Sequence, residues 1–484
     1  MRVQKLTAAK LLLIVFFLFA VFFPLSRMFA CMAGTDVLSV VRSGRFLSAV
    51  RNSLSASLAA TCISVVLGIV LAFCTERING KGRHVWTFLF LIPMLIPSIS
   101  TGMGLVILLG RNGILTNLLR LPHPIYGFGG IVAGSVLYSF PVAYIMTADI
   151  IRYEDSRPYE AADILGIPKA KQFTALFVPY IRKPLISVVF TVFTLIVTDY
   201  GVPLMIGGRC ITLPVMMYED VIGLLDFGKG SVIGAVLLVP AVIAFILDTI
   251  NRDKASSSFG IRPFKRIDNP IAETVAFALC ALTGAVIVLP AASFLLISIV
   301  QKYPIAMQPT FDNFKRAFSM NTGTYLANSL LISSFVSVLG SLSACILAYL
   351  TVRTRSKISK PLHLCAILTL AIPGLVLGLS YVLFFKGSFL YGTFAILIMV
   401  NMIHFFSSPY LMMYNTLGKL NPILEIIGST MDIPRTKIIV DVILPQAKST
   451  VAEMAMYFFV NSMMTISAVS FLATTANQPV SLMI

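Results

Sequence analysis

The sequence predicts an all-α polytopic membrane protein, and three observations lead to this class. Of the 484 residues, 57% are hydrophobic and 12% are charged, whereas soluble domains carry about 25% charged residues. The mean hydropathy is +0.91, and apolar runs of membrane-spanning length recur along the chain. The net charge of +17 then reports topology, so no nucleic-acid partner is expected. This composition excludes a soluble enzyme, a secreted disulfide scaffold and a disordered tail.

Eleven spans are expected from runs of about 20 apolar residues. They lie near 11–30, 53–74, 85–109, 127–148, 186–207, 231–249, 272–299, 326–350, 363–385, 390–414 and 451–474. The first run also fits a cleaved signal peptide, since Arg2 and Lys5 precede it and Ala30-Cys31 faintly resembles a lipoprotein cleavage site. With every run kept as a span, most Lys and Arg residues fall in loops on the N-terminal side of the membrane. The N-terminus is therefore expected in the cytoplasm.

An internal duplication divides the chain. Asn52-Ser53-Leu54 recurs as Asn328-Ser329-Leu330, and the stretch 71–77 recurs at 347–353 with the same offset. Further along, we match Ile92-Pro93 with Ile372-Pro373 and Ser139-Phe140-Pro141 with Ser407-Ser408-Pro409. These matches predict repeats at residues 1–255 (spans 1–6) and 256–484 (spans 7–11). Because each repeat should hold six spans, both insert with the same orientation.

The second repeat has no counterpart of the span at 231–249. An odd number of spans would leave its bundle incomplete. We therefore expect the second repeat to be truncated at its C-terminus. A full-length reading frame that also ends at residue 484 would contradict this expectation.

Two long loops at equivalent places, 149–185 and 415–450, share a pattern. The first reads Tyr159-Glu160-Ala161-Ala162-Asp163-Ile164-Leu165-Gly166-Ile167-Pro168, and the second reads Glu425 through Asp432-Ile433-Pro434. A Val-Pro or Leu-Pro pair follows eleven residues after the last proline of each. Gly166 fits the end of a helix and Pro168 the start of another. Each loop is thus predicted to hold a short exposed helix, a break and a second helix.

The first loop resembles the EAA loop of permease subunits of type I (MetI-like) binding-protein-dependent ABC importers. The resemblance covers the whole chain, since spans, duplication and both loops fit two fused permeases of six helices each, the last helix being absent. It implies that the loops form coupling helices that dock on an ATP-binding cassette ATPase dimer. The residues so assigned are Glu160, Ala161, Ala162, Gly166, Pro168, Glu425, Gly428, Asp432 and Pro434. The second loop departs from the motif, because Asp432 replaces Gly166, Gly428 replaces Ala162, and Glu425 lies over Tyr159.

The resemblance further implies an extracytoplasmic solute-binding protein as partner and a multi-pass location in a bacterial inner membrane. ATP and magnesium would bind the partner ATPase, and this chain would hold no cofactor. The run Gly223 to Gly230 has phosphate-loop spacing, but Gly230 stands where Ser or Thr would hold magnesium. No catalytic residue is expected, and the isolated His and Cys residues predict no metal site.

Candidate residues for a translocation path are Asp199, Asn461 and Ser462. An ionisable group within a span is a functional candidate, but Asp199 equally fits the cap of a broken helix. The stretch from Asp199 to Gly228 and residues 465–469 look most like fused permeases for 2-aminoethylphosphonate, and are also similar to those for ferric iron. An ion-coupled secondary transporter and a membrane-embedded enzyme are the other classes considered. Few acidic residues lie within the spans, and no paired carboxylates or nucleophile with a base are visible.

Overall fold

The structure is a computed structural model that describes residues 2–78, 82–251, 262, 264, 267, 269–354, 357–421 and 423–483. The helices up to residue 251 are α1 (Arg2–Phe17), α2 (Phe23–Ala33), α3 (Val37–Arg42), α4 (Gly44–Arg77), α5 (Arg83–Leu91), α6 (Ser98–Leu109), α7 (Ile114–Leu119), α8 (Phe128–Arg152), α9 (Arg157–Ile164), α10 (Lys169–Gln172), α11 (Val178–Val197), α12 (Gly201–Ile206), α13 (Leu213–Tyr218) and α14 (Phe227–Asn251). The later helices are α15 (Pro270–Ser298), α16 (Asp312–Ser319), α17 (Thr322–Val352), α18 (Ser359–Leu368), α19 (Gly374–Phe385), α20 (Phe394–His404), α21 (Ser407–Lys419), α22 (Ile423–Thr430), α23 (Arg435–Ile438), α24 (Leu444–Gln446) and α25 (Lys448–Met464).

Shorter elements join these helices. Strands β1 (Val300–Lys302) and β2 (Ala306–Pro309) form an antiparallel hairpin in which Val300 pairs with Pro309 and Lys302 with Ala306. Turns of 3-10 helix lie at Ile92–Leu95, Thr369–Ala371 and Val480–Leu482. Segments of π-helix lie at Leu18–Phe22, Phe173–Phe177, Glu219–Gly223 and Ile439–Ile443.

Within the described residues, eight helices are long and apolar enough to cross a membrane, or ten if each bent helix pair is one span. The all-α polytopic class is thereby confirmed. The eleventh predicted span, 451–474, does not form as one helix: α25 ends at Met464, where Thr465 takes an extended backbone with ψ of 138°. Helix α25 has 17 residues, whereas the shortest of the eight spanning helices has 21.

Two predicted spans, 85–109 and 363–385, are each broken by a proline. Ile96 and Ile372 are extended, and the following Pro97 and Pro373 have ψ of 144° and 143° before α6 and α19 begin. Proline lacks an N–H and drives the preceding residue out of the α region, so a helix ends there. At Pro373 the two helical segments meet at 108°.

One compact unit, here called the first-loop unit, comprises Ser39–Tyr218 and Val239–Ala317. Its centre is α4, which packs on α8 and α11. Gly68 permits the close approach, since a Cβ there would lie 2.8 Å from the Ala143 backbone, as is typical of small residues at membrane helix interfaces. The buried core of this unit includes Leu71, Phe90, Phe140, Tyr144, Ile151 and Cys280.

The other compact unit, here called the second-loop unit, comprises Met1–Leu38, Glu219–Leu238 and Phe318–Ile484. Its centre is α17, which packs on α20, α21 and α25. Gly340 lies against the Phe458 ring, where a Cβ would approach to 2.8 Å. The Tyr410 hydroxyl joins Thr351 Oγ1 at 3.0 Å and His363 Nδ1 at 2.6 Å.

Each compact unit contains a membrane helix from the other sequence half, so the units do not coincide with the predicted repeats 1–255 and 256–484. In the second-loop unit, Phe17 packs on Phe406 with ring centroids 5.3 Å apart, and the Tyr381 hydroxyl donates to the Ala20 carbonyl at 2.7 Å. In the first-loop unit, α15 packs on α4, α5 and α6. The boundary proposed between residues 255 and 256 lies outside the described residues, and the repeats themselves stay a prediction.

Equivalent hydrogen bonds recur in the two halves. The Asn52 amide donates to the Ile211 carbonyl at 3.0 Å, and the Ser53 hydroxyl accepts from Leu213 N at 2.7 Å. Likewise the Asn328 amide donates to the Ala476 and Gln478 carbonyls, and the Ser329 hydroxyl accepts from Val480 N at 2.8 Å. The same pair of residues thus anchors the segment that follows the fifth predicted span of each half.

Two of the proposed correspondences are wrong by a few residues. The backbone at Ile372-Pro373 matches Ile96-Pro97, not Ile92-Pro93, because each opens a helix with the same dihedral angles. Tyr144 bonds Thr75 and Thr87 as Tyr410 bonds Thr351 and His363. The match of Ser139 with Ser407 is therefore shifted by two positions. Both matches were made by aligning prolines. The dihedral angles and hydrogen bonds in the structure show which residues of the two halves are equivalent.

Candidate functional site

The first loop folds as its sequence predicts. Helix α9 ends in a left-handed Gly166 with φ of +69°. Gly166 N donates to the Asp163 carbonyl at 3.0 Å and Ile167 N to the Ala162 carbonyl at 2.9 Å, which is the hydrogen-bond pattern of a Schellman cap. Pro168, with ψ of 144°, then starts α10. The helix, break and second helix are confirmed.

The second loop repeats this backbone with different residues. Asp432 takes the left-handed conformation with φ of +54°. Ile433 N donates to the Gly428 carbonyl at 2.9 Å, and Pro434, with ψ of 139°, starts α23. The proline-anchored alignment is therefore confirmed at the backbone. Both second helices continue into a five-residue π-helical turn, Phe173–Phe177 and Ile439–Ile443.

The contact between the two helices of each loop differs in chemistry. In the first loop, the Gln172 amide donates to Asp163 Oδ1 at 2.6 Å and to the Ile167 carbonyl at 2.8 Å. Hydrogen bonds from Lys169 and Gln172 lower the pKa of the Asp163 carboxyl. In the second loop, Ile438 lies directly over Gly428, where a Cβ would meet Ile438 Cδ1 at 2.3 Å. Gly428 thus replaces Ala162 because Ile438 occupies the space.

Both short helices expose apolar side chains. Ile164 is 86% exposed and Leu165 is 75% exposed at the end of α9. Ile423, Ile426, Ile427 and Met431 are exposed on and after α22. A contiguous group of exposed apolar side chains on a short helix is typical of a surface that binds another protein. Each loop therefore offers one such surface.

A buried ion pair, not predicted from the sequence, lies beside the first loop. Arg77, the last residue of α4, pairs with Glu154, and the Tyr159 hydroxyl donates to the same carboxylate. Glu154 is 2% exposed, and burial raises the pKa of its carboxyl although Arg77 and Tyr159 hydrogen-bond it. The Glu160 carboxylate, on the exposed side, accepts from the Ser156 hydroxyl at 3.0 Å and from Arg262 at 2.8 Å.

The second half places a carboxylate at the same arginine from a different position. Arg353 lies 3.8 Å from Glu425 of α22 and donates to the Leu417 and Leu420 carbonyls at 2.8 Å. The Tyr349 hydroxyl also hydrogen-bonds Glu425. Glu425, which lies over Tyr159 in the alignment, thus supplies the charge that Glu154 supplies in the first half. The signal in the sequence was that Arg77 and Arg353 each follow a predicted span and are separated by the same offset as Asn52 and Asn328.

The remaining motif residues lie on the short helices. Ala162 is buried and Ala161 is exposed on α9, and Gly428 is buried on α22. The predicted path residues have local partners. Asp199 accepts from Gly201 N at 3.3 Å and Val202 N at 3.1 Å and is hydrogen-bonded by Ser98. It therefore caps α12 after a helix break, as the sequence allowed.

On α25, the Asn461 amide donates to the Tyr457 carbonyl at 2.8 Å. Ser462 Oγ is buried and has no hydrogen-bond partner within the described part of the chain. A role of these residues or of Asp199 in a path stays a prediction. Within the described residues, no group of three or more His, Cys, Asp or Glu side chains could hold a metal ion.

Comparison with known proteins identifies the class. Residues 64–257, which include the first loop, match the family described as the inner membrane component of binding-protein-dependent transport systems. This stretch of the chain is thus similar to that family. Together with the relatives below, the match indicates a permease subunit of an ABC importer, and the apolar helices indicate a multi-pass membrane protein.

Curated relatives align with nearly the whole permease. A putative ferric transport system permease protein FbpB 1 of Haemophilus influenzae is 24% identical over 98% of this chain and 79% of the relative. The ferric transport system permease protein FbpB of Actinobacillus pleuropneumoniae is 24% identical over 96% of this chain and 71% of the relative. The molybdenum transport system permease protein ModB of Azotobacter vinelandii is 26% identical, with 97% of its length covered by 44% of this chain. A whole relative thus fits into less than half of this permease, which agrees with two fused permeases.

Proposed function

We propose that this permease carries ferric iron across the membrane in an importer driven by a separate ATPase. The backbone conformation common to both loops is the observation that supports coupling to an ATPase. Each presents an exposed short helix, closed by a left-handed residue and a proline, with apolar side chains on its surface. Two equivalent surfaces suit a partner that itself has two equivalent subunits.

In this proposal the two short helices are coupling helices. Their exposed residues, Ile164 and Leu165 in the first and Ile426 and Met431 in the second, enter clefts of an ATP-binding cassette dimer. ATP and magnesium bind the ATPase and no cofactor binds this chain. Closure of the dimer on ATP draws the coupling helices together, and the free energy of ATP binding provides the bias between conformations.

The loops then lie in the cytoplasm and so does the N-terminus. An extracytoplasmic solute-binding protein delivers the substrate at the opposite side. The excess of Lys and Arg on the loop side supports this orientation. The translocation path runs within the bilayer, where Asp199, Asn461 and Ser462 remain candidates for lining it.

Ferric iron is favoured as substrate because two relatives that align along nearly the whole chain are named as ferric permeases. At 24% identity this is a proposal about substrate class. The candidate 2-aminoethylphosphonate rests only on the sequence resemblance around Asp199 and residues 465–469. Specificity in this arrangement lies largely in the binding protein.

The experiment is affinity purification of the tagged full chain from its native membrane in mild detergent, with the co-purifying proteins identified. Recovery of an ATPase at about two copies per chain supports coupling. The co-purifying binding protein is then titrated with ferric ion and with 2-aminoethylphosphonate in parallel. Tight binding of ferric ion alone supports the substrate; binding of the phosphonate alone overturns it. Uptake into vesicles by an ion gradient without ATP would overturn the importer mechanism.

A further inference from the structure

Residues that join the two sequence halves contact the first loop at several points. The Arg262 carbonyl accepts from Ser156 N at 3.0 Å, at the residue that precedes α9. Arg262 also donates its side chain to Glu160 Oε2 at 2.8 Å. An exposed ion pair of this kind contributes little stability by itself. Its value here is positional, because it joins the motif glutamate to the connecting segment.

Phe264 makes the second contact. Its ring meets the Tyr159 ring edge to face, with centroids 4.7 Å apart. The Arg77 guanidinium lies 3.3 Å from the centre of the same Phe264 ring. Arg77 Nε and Nη1 have no hydrogen-bond partner among the described residues, and the aromatic face of Phe264 takes the place of an acceptor for this buried cation. Phe264 therefore covers the Arg77–Glu154 pair and touches α9 at once.

Ile267 makes the third contact. Its N–H donates to the Arg77 carbonyl at 2.8 Å, and a parallel bridge joins it to Ile78. Asn269 then caps α15 by accepting from Ile271 N at 2.9 Å and Ala272 N at 3.3 Å. Pro270, where α15 starts, lies eight positions after Arg262 along the chain. These contacts connect the first short helix with the end of α4 and with α15.

The second loop has no such connection in the described part of the chain. The partners of Arg353 are Glu425 and two carbonyls, from α21, α22 and the turn between them. No aromatic ring lies over its guanidinium among the described residues. Among the residues that the structure describes, contacts of this kind are therefore made at the first loop and not at the second.

We propose that Arg262, Phe264 and Ile267 act as a strap that positions the first coupling helix against α4 and α15. Phe264 is its principal positioning residue and Arg262 orients Glu160. The strap makes the two coupling helices unequal: the first moves together with α4 and α15, while the second is held by its own glutamate. The part of this inference that concerns transport rests on the proposed function.

Hydrogen exchange of the purified full chain, without any ATPase, tests the strap directly. Phe264→Ala and Arg262→Ala should each raise exchange at 156–165, about tenfold for Phe264→Ala and less for Arg262→Ala. Exchange at 423–433 in the second loop should not change and serves as an internal control. Phe264→Trp, which keeps an aromatic face for Arg77, should restore protection, whereas Phe264→Leu should not. Phe389→Ala, at a side chain that is 88% exposed, is the matched control.

Equal exchange in Phe264→Ala and the unsubstituted chain would overturn the strap. Because Arg262 is exposed, Arg262→Ala separates loss of the strap from loss of the fold. With the ATPase bound in a lipid bilayer, Phe264→Ala should raise the number of ATP molecules hydrolysed per solute imported, and Phe264→Trp should return it. An unchanged ratio combined with altered exchange would reject the transport role and keep the strap. If no ATPase binds at all, the proposed function fails while the exchange result still decides the strap.

Discussion

Gly166 and Asp432 share a left-handed backbone conformation at the ends of equivalent helices, with φ of +69° and +54°. Glycine adopts this conformation freely, whereas it costs other residues about 1–2 kcal/mol. Asp and Asn tolerate it better than most. The second loop therefore keeps the geometry of the first under backbone strain that the first does not have.

Gly166→Val should uncouple ATP hydrolysis from transport while membrane insertion is unchanged. A Cβ at Gly166 meets no atom of the described residues within 4 Å. The backbone conformation therefore opposes the substitution, by about 2 kcal/mol for a β-branched residue. The measurement is solute uptake and ATPase activity in the same vesicles. Gly166→Asp copies the second loop and should retain most of the transport. Full transport in Gly166→Val would count against docking at this loop.

Acidification should loosen the contact between α9 and α10 in the first loop. The pKa of Asp163 lies below its ordinary value of 3.8 because Lys169 and Gln172 hydrogen-bond the carboxylate. A depressed pKa stabilises the loop above the unfolded value, and this stabilisation is lost as the pH falls below 3.8 through the folded value. Hydrogen exchange, corrected for its intrinsic pH dependence, should show this at 157–172.

Asp163→Asn mimics the protonated state and should produce the same loosening at neutral pH. Protection that does not change in this variant would show that the clamp between α9 and α10 does not depend on charge.

Gly428→Ala should displace α22 from α23, because the new methyl group would overlap Ile438 Cδ1 at 2.3 Å. Overpacking of this size costs about 1–3 kcal/mol. Ile438→Val removes the colliding atom, so the double variant Gly428→Ala with Ile438→Val should recover much of the loss. A double-substitution cycle on thermal unfolding in detergent measures this coupling. Additive effects of the two substitutions would contradict the direct contact.

Gly374→Ser should destabilise the second-loop unit, since a Cβ there would lie 2.2 Å from Ser467 Oγ and 3.1 Å from His404 Nε2. In the first-loop unit the serine comes first in the chain and the glycine second: a Cβ on Gly201 would lie 2.3 Å from Ser98 Oγ. Adding Ser467→Gly should therefore rescue Gly374→Ser in part, because His404 remains. The proposed rescue would be rejected if Gly374→Ser with Ser467→Gly unfolded at a temperature no higher than Gly374→Ser alone.

The membrane class, most spans and the backbone of both loops were predictable from the sequence. Apolar runs fix where helices lie because burial in lipid depends on local composition alone. The loop geometry followed from Gly166, which adopts a positive φ without steric cost, and from Pro168 and Pro434, whose rings fix φ. The bend at Pro373 was also available in the sequence, but the apolar run around it concealed the break.

Partners across long separations could not be predicted. Hydropathy gives no information on which helix Phe17 packs against, and Phe406 is far along the chain. The sequence also did not show that Arg77 pairs with Glu154 whereas Arg353 pairs with Glu425. A carboxylate can reach a buried arginine from different positions in the chain. Phe264 carried no signal, since its role depends on two rings and a guanidinium brought together by the fold.

The assignment of α1 and α2 to the second-loop unit has a consequence for synthesis in the cell. These helices precede the first-loop unit in the chain, yet their contacts at Tyr381 and Phe406 form only after about 360–390 further residues have been made, at about 5–20 residues per second. For tens of seconds α1 and α2 therefore lie in the membrane without the later helices on which they pack. The first-loop unit, by contrast, is closed once α15 has emerged. The chain thus begins its second-loop unit first and completes it last, and neither half expressed alone would contain all the helices of one finished unit.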